Sequence, residues 1–191
     1  SYYPLMFAFH QKVQSSYRAR QGKILEKIIM EILKHYVKCD IVPQKASKMR
    51  DELKDIFHAK IPNLDVDAMG IMTSDEKAIV IQLRSRDDTG GTTAKASLVD
   101  LLKELLRINK TPDYEILYLV CVWDKRQSTQ KHSTIKKMYS SLQDVVKLDK
   151  RQFFDELSYG IDLKQNIRLK MAYGTDEIMK SFFQWSGISN Y

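Results

Sequence analysis

The chain has 191 residues, of which 43% are hydrophobic and 29% charged, as in an ordinary globular domain. No run approaches 18 apolar residues, and the first residues lack the basic and apolar regions of a signal peptide, so we expect neither a membrane span nor a secretory leader. The net charge is +7, and residues 11–60 account for +6 of it, with 12 basic and 6 acidic side chains. This basic segment indicates either a polyanionic partner such as nucleic acid or a solvated lysine-rich surface.

Two helices are predicted in the basic segment. The first, over residues 21–38, has a stripe of apolar residues at helical spacing, with lysines on the other side. The stripe consists of Ile24, Leu25, Ile28, Ile29, Ile32 and Leu33. The second helix, over residues 44–58, follows Pro43 and ends before Pro62.

The middle of the chain changes to the period of β-strands. Residues 64–69 and 79–84 alternate apolar with other side chains, and the polar turn 73–76 between them predicts a β-hairpin. A helix is predicted over 93–108, after the glycine-containing segment 87–91. The nearly apolar run 115–123 predicts a strand buried on both faces, which is typical of parallel pairing through a crossover helix.

The remaining residues predict two or three helices, over about 133–147, 150–158 and 175–185, with irregular connections. The order of elements indicates an α/β fold with a mixed sheet flanked by helices and a helical C-terminal part over about 130–191. Residues 1–191 are expected to form a single domain.

The hairpin carries the clearest chemical signal. A turn centred between residues 74 and 75 pairs Asp67 with Gln82 and Asp65 with Arg84. Paired residues share one face of a hairpin, so these four side chains would form one polar cluster. The opposite face would then carry only apolar residues, and a slip of one residue would break the pattern on both faces.

Carboxylate and amide oxygens on adjacent strands suit a hard divalent cation such as Mg²⁺, which keeps several waters and takes further oxygens from a phosphate. A cation placed there could stabilise the charge that builds on a phosphoryl group during hydrolysis. The alternative is a solvent-facing strand that carries charged residues without a chemical role. Asp67 is the first choice for the metal ligand because it pairs with Gln82, and Asp65 is the second.

This arrangement resembles the nuclease core of the PD-(D/E)XK superfamily, which includes type II restriction endonucleases and Holliday junction resolvases. Residues 81–86 (IQLRSR) are similar to its third motif, and residues 16–26 (SYRARQGKILE) are similar to the first helix of many restriction enzymes. The resemblance covers about residues 16–124. It implies a helix, a three-stranded antiparallel meander, and a helix that leads to a parallel strand. It also implies that Glu26 helps to bind the metal or its water.

The sequence departs from the third motif of the family at two positions, and its second motif lacks a direct Pro-Asp pair because Pro62 precedes Asp65 by three residues. Gln82 stands where an acid is expected, and Arg84 stands where a lysine is expected. An amide oxygen still serves as a ligand, and arginine keeps the positive charge, although it cannot act as a base because its pKa exceeds about 12. Lys95 and Asp100, on the following helix, are alternatives for a migrated lysine or acid, or they lie on an exposed helix face.

Contacts to DNA phosphates are expected from basic and hydroxyl side chains around this core. Thr92 and Thr93 lie where the hairpin leads into the predicted helix, and free backbone amides at a helix start favour phosphate, although these residues could equally serve only as loop and N-cap residues. The segment lacks the GK[ST] ending of a P-loop, so no nucleotide cofactor is expected. The candidate DNA-binding residues are Arg18, Arg20, Lys23, Arg86, Thr92, Thr93 and Lys95.

The sequence therefore predicts a Mg²⁺-dependent type II restriction endonuclease that cuts double-stranded DNA as a homodimer, since a two-fold axis pairs one active site with each strand. A resolvase or repair nuclease of the same fold and a catalytically inactive DNA-binding module remain alternatives. Two cysteines without CxxC spacing, and four scattered histidines, favour a reducing cytoplasm and argue against a zinc site.

Overall fold

A computed structural model describes residues 20–86, 95–124 and 131–188, and it shows an α/β fold built on one mixed five-stranded sheet. The strand order is β1-β2-β3-β5-β4. Strands β2, β3 and β5 run parallel, whereas β1 and β4 pair antiparallel at the two edges. The strands are β1 (Ala68–Met72), β2 (Lys77–Arg86), β3 (Glu115–Asp124), β4 (Ile161–Asp162) and β5 (Ile167–Tyr173).

Helices flank this sheet, and their positions follow the apolar periodicity of the sequence. Helix α1 covers residues 20–35, close to the predicted 21–38, and a 3-10 turn (Ser97–Val99) precedes α3 where one continuous helix was expected. The remaining helices are α2 (Ala46–Phe57), α3 (Asp100–Arg107), α4 (Lys131–Leu142), α5 (Lys150–Glu156) and α6 (Gly174–Ser186). In the part of the chain that the structure describes, no helix has the length and apolar character needed to cross a membrane.

The predicted hairpin and its register are confirmed. Residues 73–76 form the turn, and the ladder pairs Ala68 with Ile81 and Met72 with Lys77, which is the register that places Asp67 opposite Gln82. The first strand begins later than predicted, at Ala68 instead of residue 64. Asp67 donates its backbone N–H to the Ile81 carbonyl at 3.2 Å but lies outside the regular ladder. Before it, the Asp65 carbonyl accepts a hydrogen bond from the Gln82 side chain of β2.

The three-stranded meander implied by the resemblance is only partly present. Among the described residues, the hairpin has one further antiparallel contact on its outer side, an isolated bridge between Ile41 and Ile71. The backbone N–H of Ile71 donates to the Ile41 carbonyl at 2.9 Å. The helix that leads to a parallel strand is present as α3 and β3.

The C-terminal part is not purely helical, so that prediction is wrong. Strand β5 pairs with β3 over its whole length and places Ile167, Leu169 and Met171 in the core. Between them, Arg168 is exposed and Lys170 is half-buried. The alternation within residues 167–173 is the period of a half-buried strand. The three predicted helices on either side of it are present as α4, α5 and α6.

Both faces of the central strands are covered. Residues Ala78 to Ile81 of β2 have no exposed surface, although successive side chains point to opposite faces, and the same holds for Tyr118 to Val122 of β3. One prediction for α1 needs correction. Ile29 and Leu33 are buried, but Ile24 and Ile28 are 55% and 39% exposed, so the buried stripe of this helix is narrower than its apolar sequence.

Candidate active site

A cavity of about 360 Å³ lies at the end of the hairpin, where β1 has ended but β2 continues. Helix α1 forms one wall, and the 3-10 turn with the start of α3 forms another. The cavity brings together all four members of the predicted polar cluster and the predicted glutamate. The charged and amide side chains that line it are Glu26, Asp65, Asp67, Gln82, Arg84 and Asp100.

Asp67 is fixed by the edge of β2. Its carboxylate Oδ2 accepts a 2.6 Å hydrogen bond from the backbone N–H of Leu83, a group that β1 no longer reaches. Burial raises the pKa of Asp67. The Leu83 N–H and Arg84 lower this pKa in part, whereas the neighbouring charge of Asp65 raises it further. Asp67 is therefore held rigidly in an environment that penalises its negative charge.

Gln82 is only 4% exposed, so the alternative of a solvent-facing polar strand is wrong at this position. Its amide Nε2 donates a 2.8 Å hydrogen bond to the backbone carbonyl of Asp65. The side chain of Asp65 itself is exposed at the cavity rim, and its charge acts on Asp67 and Glu26. Asp67 is therefore the more enclosed of the two candidate ligands.

Glu26 reaches the same cavity from α1. Burial raises the pKa of its carboxyl, the charge of Asp67 raises it further, and Lys23 opposes both. Glu26, Asp65 and Asp67 line the same cavity, so the helix and the hairpin present their carboxylates to one space. The resemblance implied that Glu26 helps to bind a metal or its water, and the structure places this residue in the wall of the cavity.

Arg84 supplies a positive charge next to these carboxylates. It lies two residues after Gln82 on β2, is half-buried, and lowers the pKa of Asp67 by charge attraction. A planar guanidinium in this place can also donate two parallel hydrogen bonds to phosphate oxygens.

The donor set of the cavity fits a magnesium ion that keeps much of its water. Among the residues that the structure describes, no three His, Cys, Asp or Glu side chains form a metal-binding group by themselves. Mg²⁺ often takes only one or two carboxylates, and the rest of its ligands are waters and substrate oxygens. Two carboxylates with raised pKa values and an amide oxygen at one cavity therefore provide a suitable partial site.

The other sequence candidates are distributed unevenly. Arg20 and Lys23 are exposed on α1. Lys95 is only 4% exposed, and its Nζ lies 3.3 Å from Ser133 Oγ, so neither an exposed helix face nor a surface phosphate contact describes it. Asp100 lines the cavity at the start of α3. Arg18, Thr92 and Thr93 lie outside the described residues, and Arg86 is described only as the last residue of β2.

Sequence reasoning missed Tyr118 and Ser97. Tyr118 has no exposed surface, and its hydroxyl donates a 2.9 Å hydrogen bond to the Leu98 carbonyl behind the cavity. Its signal in the sequence is a single hydroxyl within the apolar run 115–123, because a buried hydroxyl needs a polar partner. Ser97 lines the cavity from the 3-10 turn and had no distinguishing pattern.

A larger cavity of about 590 Å³ lies at the opposite end of the sheet, between β5, α6 and the start of β3. In this cavity, a carboxylate forms a salt bridge, because Asp162 lies 3.4 Å from Arg168. Burial lowers the pKa of Lys170, and repulsion from Arg168 and Lys180 lowers it further. The smaller cavity gathers four carboxylates beside a guanidinium, so it is the better candidate for acid-base or metal chemistry.

Comparison with known proteins leaves this geometry as the main guide to function. No protein-family model, no curated protein and no solved structure matches the chain. The class of protein that the fold and the cavity define is therefore an α/β protein with a carboxylate-rich cavity at the end of a β-hairpin. Any more particular function must come from the chemistry of that cavity.

Proposed function

We propose that the chain is a Mg²⁺-dependent endonuclease that hydrolyses phosphodiester bonds of double-stranded DNA at specific sequences, as type II restriction enzymes of the PD-(D/E)XK superfamily do. The observation that carries the proposal is the single cavity that holds Glu26, Asp67, Gln82 and Arg84 together. Metal-binding oxygens and a phosphate-binding guanidinium lie side by side in it, which is the combination that phosphodiester hydrolysis requires.

Each side chain has a distinct role in the proposed reaction. Asp67 and the amide oxygen of Gln82 would hold Mg²⁺, which supplies Lewis-acid stabilisation and lowers the pKa of a water. Arg84 would donate hydrogen bonds to the phosphate oxygens as negative charge develops on them. Arg84 cannot take a proton from the attacking water, whereas Glu26, whose pKa is raised, is a carboxylate that can accept it.

The surface beside the cavity supports DNA as the substrate. Helix α1 carries Glu26 towards the cavity and presents Lys23, Lys27 and Lys34 as exposed side chains. Exposed lysines along one helix next to a phosphate-processing cavity can follow a DNA backbone and release its counterions. A homodimer would place one such cavity at each strand of a two-fold symmetric site.

Incubation of a large plasmid of known sequence with the protein and Mg²⁺, and separately with EDTA, tests the proposal. We expect discrete fragments with Mg²⁺ and none with EDTA, and sequencing of the fragment ends would give the recognition site. Cleavage confined to branched or damaged DNA would favour a resolvase or repair nuclease. DNA binding without cleavage in either buffer would contradict the proposal and favour an inactive binding module. Asp162→Asn, which alters the opposite cavity, is the matched control and should cut normally.

A further inference from the structure

The acidic segment, residues 64–67, carries both candidate carboxylate ligands and is held by side chains from two other elements. It follows α2 and precedes β1, outside the regular ladder of the hairpin. The Leu64 carbonyl accepts a 3.0 Å hydrogen bond from Nη1 of Arg50, on α2. The next carbonyl, that of Asp65, accepts a 2.8 Å hydrogen bond from Nε2 of Gln82, on β2. Side chains of a helix and a strand therefore hold two consecutive backbone groups of the acidic segment.

Arg50 is placed for its contact by the helix that carries it. It lies three residues before Leu53 and seven before Phe57, and both of these side chains are fully buried, so Arg50 borders the core face of α2. Arg50 and Leu64 are each half-buried. A carbonyl in such surroundings loses more when its donor is removed than an exposed carbonyl does, because water replaces the donor less completely.

The acidic segment is fixed at both of its ends. At the far end, Asp67 donates its backbone N–H to the Ile81 carbonyl at 3.2 Å and accepts a 2.6 Å hydrogen bond from the Leu83 N–H on its carboxylate. At the near end, the bond from Arg50 fixes Leu64. Leu64 and Asp67 both line the cavity, whereas Arg50 is not among the described residues of its wall. Arg50 can therefore affect the cavity only through the segment that it holds.

We propose that Arg50 is a positioning residue for the metal site, which acts through the Leu64 carbonyl to keep the acidic segment, and Asp67 with it, against β2. This inference rests on the proposed function, because it assigns Arg50 a part in the binding of the proposed Mg²⁺ ion. Groups that orient a metal ligand from behind change the metal affinity although they do not touch the metal. One basic residue of the 11–60 segment thereby has a role other than contact with DNA.

Arg50→Met tests the proposal, with Arg168→Met as the matched control. Methionine keeps an unbranched apolar chain and removes the guanidinium. Arg168 likewise donates to a backbone carbonyl, that of Tyr159 at 3.4 Å, but it lies at the opposite cavity. Two readouts are taken without DNA. Calorimetric titration measures the Mg²⁺ affinity, and hydrogen exchange followed by NMR measures the protection of the Leu83 N–H, which donates to Asp67.

We expect Arg50→Met to weaken Mg²⁺ binding about 10- to 100-fold, the usual effect of removing a group that orients a metal ligand. Exchange of the Leu83 N–H should become about tenfold faster, because the acidic segment opens more often once its near end is released. Arg168→Met should leave both readouts unchanged. Arg50→Lys keeps one charged donor and should lose less than Arg50→Met in both readouts, and it carries the test if Arg50→Met does not fold.

Equal behaviour of Arg50→Met and Arg168→Met would overturn the proposal. A lower melting temperature with both readouts unchanged would also overturn it, since it would show a role in stability alone. Weaker DNA binding without Mg²⁺, at unchanged Mg²⁺ affinity, would instead assign Arg50 to the DNA-binding surface. If the wild type binds no Mg²⁺ but the Leu83 N–H loses protection in Arg50→Met and not in the control, Arg50 does hold the acidic segment and the proposed metal-dependent function is wrong. The two failures are therefore distinguishable.

Discussion

The carboxylate of Asp67 accepts a 2.6 Å hydrogen bond from the backbone N–H of Leu83, at the point where β2 extends beyond its partner strand. The Asp67 side chain thus accepts a hydrogen bond from a backbone N–H that has no partner strand beside it. The same bond fixes the carboxylate at the cavity wall next to Gln82. A structural and a chemical role therefore meet in one residue, and conservative variants are needed to separate them.

Asp67→Asn should raise the thermal stability of the metal-free protein at neutral pH while removing cleavage. Burial raises the pKa of Asp67, so the folded protein binds this proton more tightly than the unfolded chain does, and stability falls as pH rises from the ordinary value of 3.8 through the raised one. Asparagine keeps an oxygen for the Leu83 N–H and removes the charge. Cleavage should fall at least about 100-fold.

Melting curves at pH 4 and pH 7.5, with and without Mg²⁺, check this. The gain in melting temperature should be present at pH 7.5 and shrink as the pH falls towards 4, because protonation of the wild-type carboxyl removes the charge that burial penalises. Mg²⁺ should stabilise the wild type but not Asp67→Asn. A variant that cuts at the wild-type rate, while Asp65→Asn is inactive, would transfer the ligand role to Asp65.

Arg84→Ala should reduce the cleavage rate by about 100-fold or more and shift the pH dependence of cleavage to higher pH. The guanidinium lowers the pKa of Asp67, so its removal makes that carboxyl ionise at higher pH and weakens metal binding below it. The lost stabilisation of phosphate charge accounts for the fall in rate. Arg84→Lys should keep part of the activity and the wild-type pH dependence, because it retains the charge. A pH profile that Arg84→Ala leaves unchanged would contradict the coupling to Asp67.

The register of the hairpin could be predicted from the sequence because a short polar turn fixes the pairing of everything on either side of it. With residues 73–76 as the turn, the register places Asp67 opposite Gln82, and the observed pairing of Ala68 with Ile81 has this register. No short turn fixes the register between β2 and β3, which pair in parallel across a helix. The placement of Tyr118 as a diagonal neighbour of Gln82 depends on that register, so it could not be predicted.

Two other features depended on contacts distant in sequence. Strand β5 has a recognisable alternation, but its polar neighbours Lys164 and Gln165 and its charged outer face made it resemble a loop. The burial of Lys95 requires Ser133 from α4, 38 residues away, and no local pattern indicates it. The site was predictable where it lies on one hairpin, and less so where separate helices complete it.

Gln82→Glu should lower stability at neutral pH and recover it on acidification. An ionised glutamate cannot donate to the Asp65 carbonyl, and its charge would be buried, so its pKa should be raised above the ordinary value. The folded variant then binds a proton more tightly than its unfolded chain, and its stability rises as pH falls towards that ordinary value. Chemical unfolding of the wild type and variant between pH 4 and 8 measures the difference. A constant difference across this range would contradict the donor role of Gln82.

Replacement of the exposed lysines of α1 should weaken DNA binding and its salt dependence together. If Lys23, Lys27 and Lys34 each neutralise one phosphate, changing all three to glutamine removes about three released counterions and lowers the slope of log affinity against log salt by ~2.7. Glutamine preserves helix propensity, so the fold should be retained. The matched control changes Lys147, Lys150 and Lys164, which are also exposed but lie outside α1 and the cavity lining, and alters the net charge by the same amount. Fluorescence anisotropy with a labelled duplex from 50 to 300 mM salt gives both slopes. If the two triple variants lose the same slope, DNA binding follows net charge alone and the surface of α1 is not the DNA-binding face.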